Sequence, residues 1–165
     1  MSWRAMTPRD LPAVNAIAAR VHPDYPEDAA VFEERLALYP AGCFILQSAA
    51  APIGYLISHP WHFAEPPALN VALCEIPSPA STYYIHDIAL LPQARGSGAA
   101  ATAVAALLQL ARTQTMRNIS LVAVNNSVQF WRRQGFHIHS DGALAQKLAS
   151  YGADACYMVR DLGDV

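Results

Sequence analysis

The residues best suited to chemistry lie together in one short stretch, Arg95-Gly96-Ser97-Gly98-Ala99-Ala100, which follows Leu90-Leu91-Pro92-Gln93-Ala94. It stands between a run of strand character and a long run of helix character. Small residues let a backbone approach a ligand closely, and the first N–H groups of a helix lack intrahelical partners. With the helix dipole they form an anion site, for which a pyrophosphate is the natural guest. Glycine at a strand-to-helix junction also serves purely steric ends, so the local pattern supports either reading until its context is added.

Two known phosphate-binding patterns bear on this stretch. Residues 96–101 satisfy G-x-G-x-x-A, the dinucleotide fingerprint. In that fold, however, the glycine turn follows its strand directly and an acidic residue ends the next strand. Here residues 91–95 intervene and the next strand runs out at Asn125, so ribose recognition is missing. A P-loop is excluded because no G-x-x-x-x-G-K-[ST] occurs and Lys147, the only lysine, lies elsewhere.

The elements that must position the stretch can be read from periodicity. Residues 82–90 suit a strand, and 97–114 suit a helix with Val104, Leu107, Leu108 and Ala111 on one face. Upstream, 3–6 forms a short strand, and Thr7-Pro8-Arg9-Asp10 opens a helix with Leu11, Val14, Ile17 and Ala18 at helical spacing. His22-Pro23-Asp24-Tyr25-Pro26 breaks it, since each proline biases its predecessor away from αR, and a helix resumes over 27–38. Residues 42–47 and 53–59 read as a hairpin. The five prolines of 60–79, mixed with Trp61, His62, Phe63 and Glu65, indicate a long loop able to line a pocket. Residues 119–124 form an apolar, β-branched strand, and 127–134 a short helix ended by Gly135 at C′. Strands over 136–139 and 155–159 close the chain. Strand and helix alternate, as in α/β layers.

Composition narrows the function classes. At 165 residues the chain fits one domain, 1–165, and its 53% apolar and 15% charged content describes a well-filled core. The apolar run 99–111 is broken by Thr102 and Gln109 and is too short to span a bilayer, so neither a membrane span nor a membrane partner is expected. The first ten residues carry no apolar stretch of the signal-peptide kind. Cys43, Cys74 and Cys156 have neither paired nor metal-like spacing, which suits buried, reduced thiols, a cytoplasmic location and no bound metal. A net charge of −2 offers no basic stripe for nucleic acid.

Context decides between the readings of the glycine turn. The stretch Arg95-x-x-Gly98-x-Ala100 resembles the R/Q-x-x-G-x-G/A acetyl-CoA-binding segment of the GCN5-related N-acetyltransferase (GNAT) superfamily. Gln93, Gly96 and Gly98 fit the same pattern in a second register. Downstream, Asn125-Asn126-Ser127-Val128-Gln129-Phe130-Trp131-Arg132-Arg133-Gln134-Gly135-Phe136 resembles the family's strand-helix-Gly-Phe segment, with local similarity to arylalkylamine-type members in Phe130-Trp131 before Gly135-Phe136-His137. The resemblance implies an α/β fold of the α+β type, a central mixed, splayed sheet of six or seven strands flanked by about four helices.

It also implies a function: transfer of an acetyl group from acetyl-CoA, as cosubstrate, to the primary amine of a small molecule, amino acid or peptide in a ternary complex. The matching cofactor-binding positions are Ile88 and Leu90 for the pantetheine arm, Arg95, Gly96, Ser97, Gly98, Ala99 and Ala100 for the pyrophosphate, and Asn125, Asn126 and Trp131 nearby. His86 matches a catalytic histidine of the arylalkylamine-type members; its ordinary pKa suits proton removal, and strand parity puts it with Ile88, Leu90 and Tyr84, with Asp87 opposite. A lone histidine on a strand is more often structural. The family's thiolate-protonating tyrosine is replaced by Trp131, whose indole is no practical acid, which leaves Tyr157, Cys156, water or Tyr84 for proton relay. Acceptor recognition falls to the irregular segments, with Tyr25, Glu27, Trp61 and His62 suited to a cationic amine with an apolar body. A non-catalytic acyl-CoA sensor of the same fold is the alternative, and a dinucleotide oxidoreductase ranks behind both. A homodimer would form by pairing of the last strand with a second copy.

Overall fold

In the computed structural model, which describes residues 1–163, the elements follow the apolar periods in order. They are β1 (Ser2–Ala5), α1 (Leu11–Val21), α2 (Ala29–Leu38), β2 (Cys43–Gln47), β3 (Pro52–Trp61), β4 (Thr82–Leu90), α3 (Ala99–Thr113), β5 (Asn118–Ala123), α4 (Val128–Arg133), β6 (His137–Ile138), α5 (Leu144–Lys147) and β7 (Cys156–Asp161). The seven strands form one mixed sheet in the order β1-β2-β3-β4-β5-β7-β6.

Side chains alternate across the sheet and each face buries its own core. Leu56, Tyr83, Ile85, Ile119 and Leu121 pack under Val104, Leu107, Leu108 and Ala111 of α3 and Trp131 of α4. On the other face Ile45, Tyr55, Ile57 and Ala89 pack under Val14 and Ile17 of α1 and Phe32 and Leu36 of α2. The amphipathic spacing of α1 and α3 thus decides which side each helix covers.

Two irregularities shape the centre. β4 and β5 are the parallel pair, matched only at Tyr83↔Ile119, Tyr84↔Ser120 and Ile85↔Leu121; beyond that the strands part, and β4 runs on to Leu90 without its neighbour. Between β3 and β4 the register shifts from Ile57↔Asp87 to Ser58↔Ile85, so His86 is the extra residue of a bulge.

The bulge corrects the parity expected from a regular strand. Asp87 lies on the same side as His86, facing the α1–α2 connection, whereas Ile88 packs with the α3 core. Three further expectations are revised. Residues 144–147 form a fifth helix, which the weak Leu144/Leu148 periodicity did not signal. β3 continues through Pro60 and Trp61; β2 begins only opposite Ile57, so this part of β3 has edge character, where proline is tolerated. β7 lies between β5 and β6, so the last strand of the chain is not the outermost strand of the sheet; β6 covers it at Met158 and Val159.

Among the thiols, Cys43 is buried as expected but Cys74 is exposed. Among the described residues, no helix is long and apolar enough to cross a membrane.

Candidate active site

A cleft of about 360 Å³ opens where β4 and β5 part, floored by Ile85, Ile88, Leu121 and Val124 and closed on one side by Phe130 and Trp131. One end reaches Arg95, Gly96 and Ala100; the other reaches His22, Tyr25, Glu27 and His86.

The first end is built by backbone. Gly96 at φ 75° and Gly98 at φ 83° adopt conformations that disfavour side chains, and Gly98 caps the start of α3. A Cβ built at either glycine would meet no atom within 4 Å, so protein packing is not what keeps these positions small. The N–H groups of Gly96, Ser97 and Gly98 find no acceptor among the described residues. Ser97 Oγ donates to the Ala94 carbonyl at 2.6 Å and accepts from Ala99 N–H at 3.3 Å, which holds the turn in shape. The result is a cradle of outward N–H groups at a helix N-terminus, suited to a polyanion.

The second end is built from two carboxylate–imidazole pairs. Pro23 follows His22 and ends α1 there, so the His22 side chain leaves the helix terminus and crosses to the sheet. Its Nε2 lies 2.8 Å from Asp87 Oδ1 on β4, and its Nδ1 lies 2.9 Å from Asn125 Nδ2 beyond β5. The Tyr55 hydroxyl donates to the other Asp87 oxygen. One turn deeper, His86 Nε2 lies 2.8 Å from Glu27 Oε1, and Glu27 Oε2 accepts the Asn70 N–H at 3.0 Å. Asn70 thereby braces the α1–α2 connection with the long loop after β3.

Charge follows from these contacts. Burial would depress the His22 pKa, but the hydrogen bond and charge of Asp87 outweigh it and hold the imidazole above its ordinary value. Burial would raise the Asp87 carboxyl, yet the His22 hydrogen bond and the neighbouring imidazoles carry it below the usual range. Glu27 is likewise lowered, burial being overcome by the charge and hydrogen bond of His86.

Behind the His86 ring, 6.5 Å away between centroids, sits His59. His59 Nδ1 donates to the Pro60 carbonyl at 2.9 Å, and burial pulls its pKa down to about 3. His59 Nε2 and His86 Nδ1 are both buried without a partner among the described residues.

Of the residues singled out from sequence, His86, Ile88, Leu90, Arg95, Gly96, Ala100, Asn125, Trp131, Tyr25 and Glu27 line the cleft. Ser97, Gly98 and Ala99 complete the turn beside it, and Asn126, at φ 57°, follows Asn125 without lining it. Tyr84, Tyr157, Trp61 and His62 do not line it. Tyr84 is wholly buried beside Tyr157, and burial raises both phenols, so neither is placed to hand a proton to the cleft. The Tyr157 hydroxyl accepts the Ala64 N–H at 3.0 Å, anchoring the long loop. The Trp61 indole donates to the Glu65 carbonyl at 2.9 Å.

Sequence reading missed the His22–Asp87–Tyr55 assembly. The available signal was His22 just before Pro23, a histidine forced to a helix end. The bulge that turns Asp87 toward it carries no marking residue.

Comparisons with known proteins agree with this architecture. The model of the acetyltransferase (GNAT) family matches residues 7–136. Among solved structures, the GphF GNAT-like decarboxylase in complex with isobutyryl-CoA superposes with TM-score 0.78 at 16% identity, over 99% of this chain and 100% of that one. The loading GNATL domain of CurA from Lyngbya majuscula gives 0.76 at 13% identity, over 98% and 97%. Ard1 from Thermoplasma volcanium gives 0.72 at 17%, over 99% and 98%. No curated protein sequence matches the chain.

Proposed function

From the premise that the chain belongs to the acetyltransferase (GNAT) family, we propose that it is an N-acyltransferase that moves an acetyl group from acetyl-CoA to a primary amine carried by a small molecule, amino acid or peptide. The observation that carries this reading is the polarity of one continuous cleft: an N–H cradle for a pyrophosphate at one end, an apolar floor, and two carboxylates at the other. Glu27 and Asp87 favour a cationic acceptor over a donor bearing a carboxylate of its own, which separates this reading from the decarboxylase chemistry named for one structural neighbour.

In this reading the N–H groups of residues 96–98 hold the pyrophosphate, and Ile88 and Leu90 flank the pantetheine arm. Glu27 binds the ammonium. The proton that must leave the amine before attack passes to the Glu27–His86 pair, His86 lying directly behind the carboxylate with only 2% of its side chain exposed. Tyr25 and Leu69 supply the apolar wall for the body of the acceptor. The reading includes a single domain working as a cytoplasmic enzyme.

A second reading, an acyl-CoA sensor without turnover, is favoured by one observation: Trp131 occupies the place of the family's proton-donating tyrosine and is buried against Phe130 and Phe136.

A thermal-shift titration with acetyl-CoA, CoA and NADH, followed by thiol release against a panel of amines, tests both. Stabilisation by acetyl-CoA with amine-dependent thiol release is the expected result. Stabilisation without release selects the sensor, and stabilisation by NADH alone overturns the family-based reading of the cleft.

A further inference from the structure

Trp131 replaces the usual tyrosine, and Tyr151, which lines the cleft, donates its hydroxyl hydrogen bond to the Pro67 carbonyl at 2.9 Å, while another group in the cleft has no part yet in the proposed mechanism. His22 spans the mouth of the gap between β4 and β5. It is tied to Asp87 on one strand and to Asn125 beyond the end of the other, at 2.8 and 2.9 Å. Its position along the cleft follows from β4 itself. From the glycine turn inward, the strand presents Leu90, Ile88, Asp87 and then His86, so His22, on Asp87, lies between Ile88 and the Glu27–His86 pair. A donor whose phosphates sit on the turn and whose acyl group meets an amine at Glu27 must place its sulfur between those two regions. That is the level of His22.

Resting on the acyltransfer reading, we propose that His22 is the catalytic acid that protonates the departing thiolate, with Asp87 and Tyr55 as its positioning residues. Asp87 accepts the Nε2–H, so Nδ1 is the nitrogen turned to the gap; there it accepts from the Asn125 Nδ2–H, and in the charged form of the ring the Asn125 amide turns so that its oxygen faces the Nδ1–H. The amine nitrogen forms its bond to the thioester carbon, and the carbon–sulfur bond breaks with its electron pair going to sulfur. Sulfur takes the proton from His22 Nδ1, while the surplus proton on nitrogen goes to the Glu27–His86 pair. His22 then regains a proton from water, and the Glu27–His86 pair releases to water both protons it has taken, the one from the ammonium before attack and the surplus one after it, so that one proton is set free per acetyl group transferred. The side chains of His22 and Asp87, each 16% exposed, lie near enough to solvent for this exchange. The division of labour is physical: the deeper pair collects a proton from a cation bound to it, and the shallower pair, its imidazole favoured in the charged form, supplies one.

Leaving-group dependence tests the role. The full chain and His22→Gln are assayed with one amine and two donors, acetyl-CoA and the acetyl thioester of a nitrothiophenol, whose acidic thiol departs as a thiolate without help. The expected result is a loss of about 100-fold or more in kcat with acetyl-CoA, an aryl thioester rate near that of the unaltered protein, and retained stabilisation by acetyl-CoA. Asp87→Asn, which keeps the size of the side chain, is expected to give the same donor-selective loss in smaller measure, and it carries the test if His22→Gln no longer binds acetyl-CoA. Equal loss on both donors, or no loss on either, overturns the acid role while leaving acyl transfer standing. Absence of amine-dependent thiol release from the unaltered protein overturns the acyltransfer reading and this role together.

Discussion

His59 illustrates how a single buried side chain writes itself into the pH response of the whole molecule. Its pKa is pulled down to about 3, so the folded state keeps the ring neutral, while the unfolded chain protonates it near its ordinary 6.5. Below pH 6.5 the unfolded state therefore binds one more proton than the folded state, and stability falls as pH drops from about 6.5 toward 3. His22 has the opposite sign: its raised pKa contributes stability that is present below the unfolded value and is lost as pH rises through the folded one. Asp87 and Glu27, both lowered, contribute stability above their unfolded values that disappears as pH falls through the folded ones. The variant His59→Phe, which keeps these other groups, isolates the first effect. Unfolding free energies from urea titrations between pH 7 and pH 4 should diverge from the parent by about 1.4 kcal/mol per pH unit below the histidine range. Parallel curves would mean that a proton reaches the folded ring.

The glycine turn and α3 act as one element, and the arrangement explains why part of the site could be read in advance. Gly96 and Gly98 need positive φ and leave open space beside them, a backbone requirement that residue type announces directly. Replacing Gly98 by Ala forces a side chain into φ 83° and should cost about 1 kcal/mol of stability. The same variant should weaken acetyl-CoA binding in a calorimetric titration more than it lowers the melting temperature would suggest, because the N–H cradle distorts with the turn. β4 was legible for a similar reason: Thr82–Leu90 is rich in β-branched and aromatic residues and ends two residues before Pro92. Its bulge was not legible, because a two-against-one pairing depends on how β3 lies beside it. That one displaced residue brings Asp87 to His22, so this part of the candidate site escaped an alternation rule that placed the rest of the strand. α5 was missed because its four residues carry too few apolar positions to set a period. Arg35 is a comparable case on α2: wholly buried, it donates to Glu34 at 2.8 Å and to the Val71 carbonyl at 2.9 Å, pinning the long loop. Nothing in its sequence surroundings marks an arginine for the interior.

For the molecule as a whole, order and type of the elements came from periodicity, and the family resemblance extended that order to a splayed sheet. The tertiary bridges did not, since His22 to Asn125 and Glu27 to His86 join residues far apart in the chain. The splay itself has a mechanical meaning. Past Ile85 and Leu121 two neighbouring strands turn unshared edges toward each other, so the free protein is a sheet with rungs missing from its middle. A donor arm lying in the gap would supply those rungs, and the ligand would in effect become an eighth strand. Amide hydrogen exchange would register this as protection spreading along the inner edges of β4 and β5 and outward through both half-sheets when acetyl-CoA is added. Protection confined to the glycine turn would instead mean two halves that bind one molecule without being joined by it.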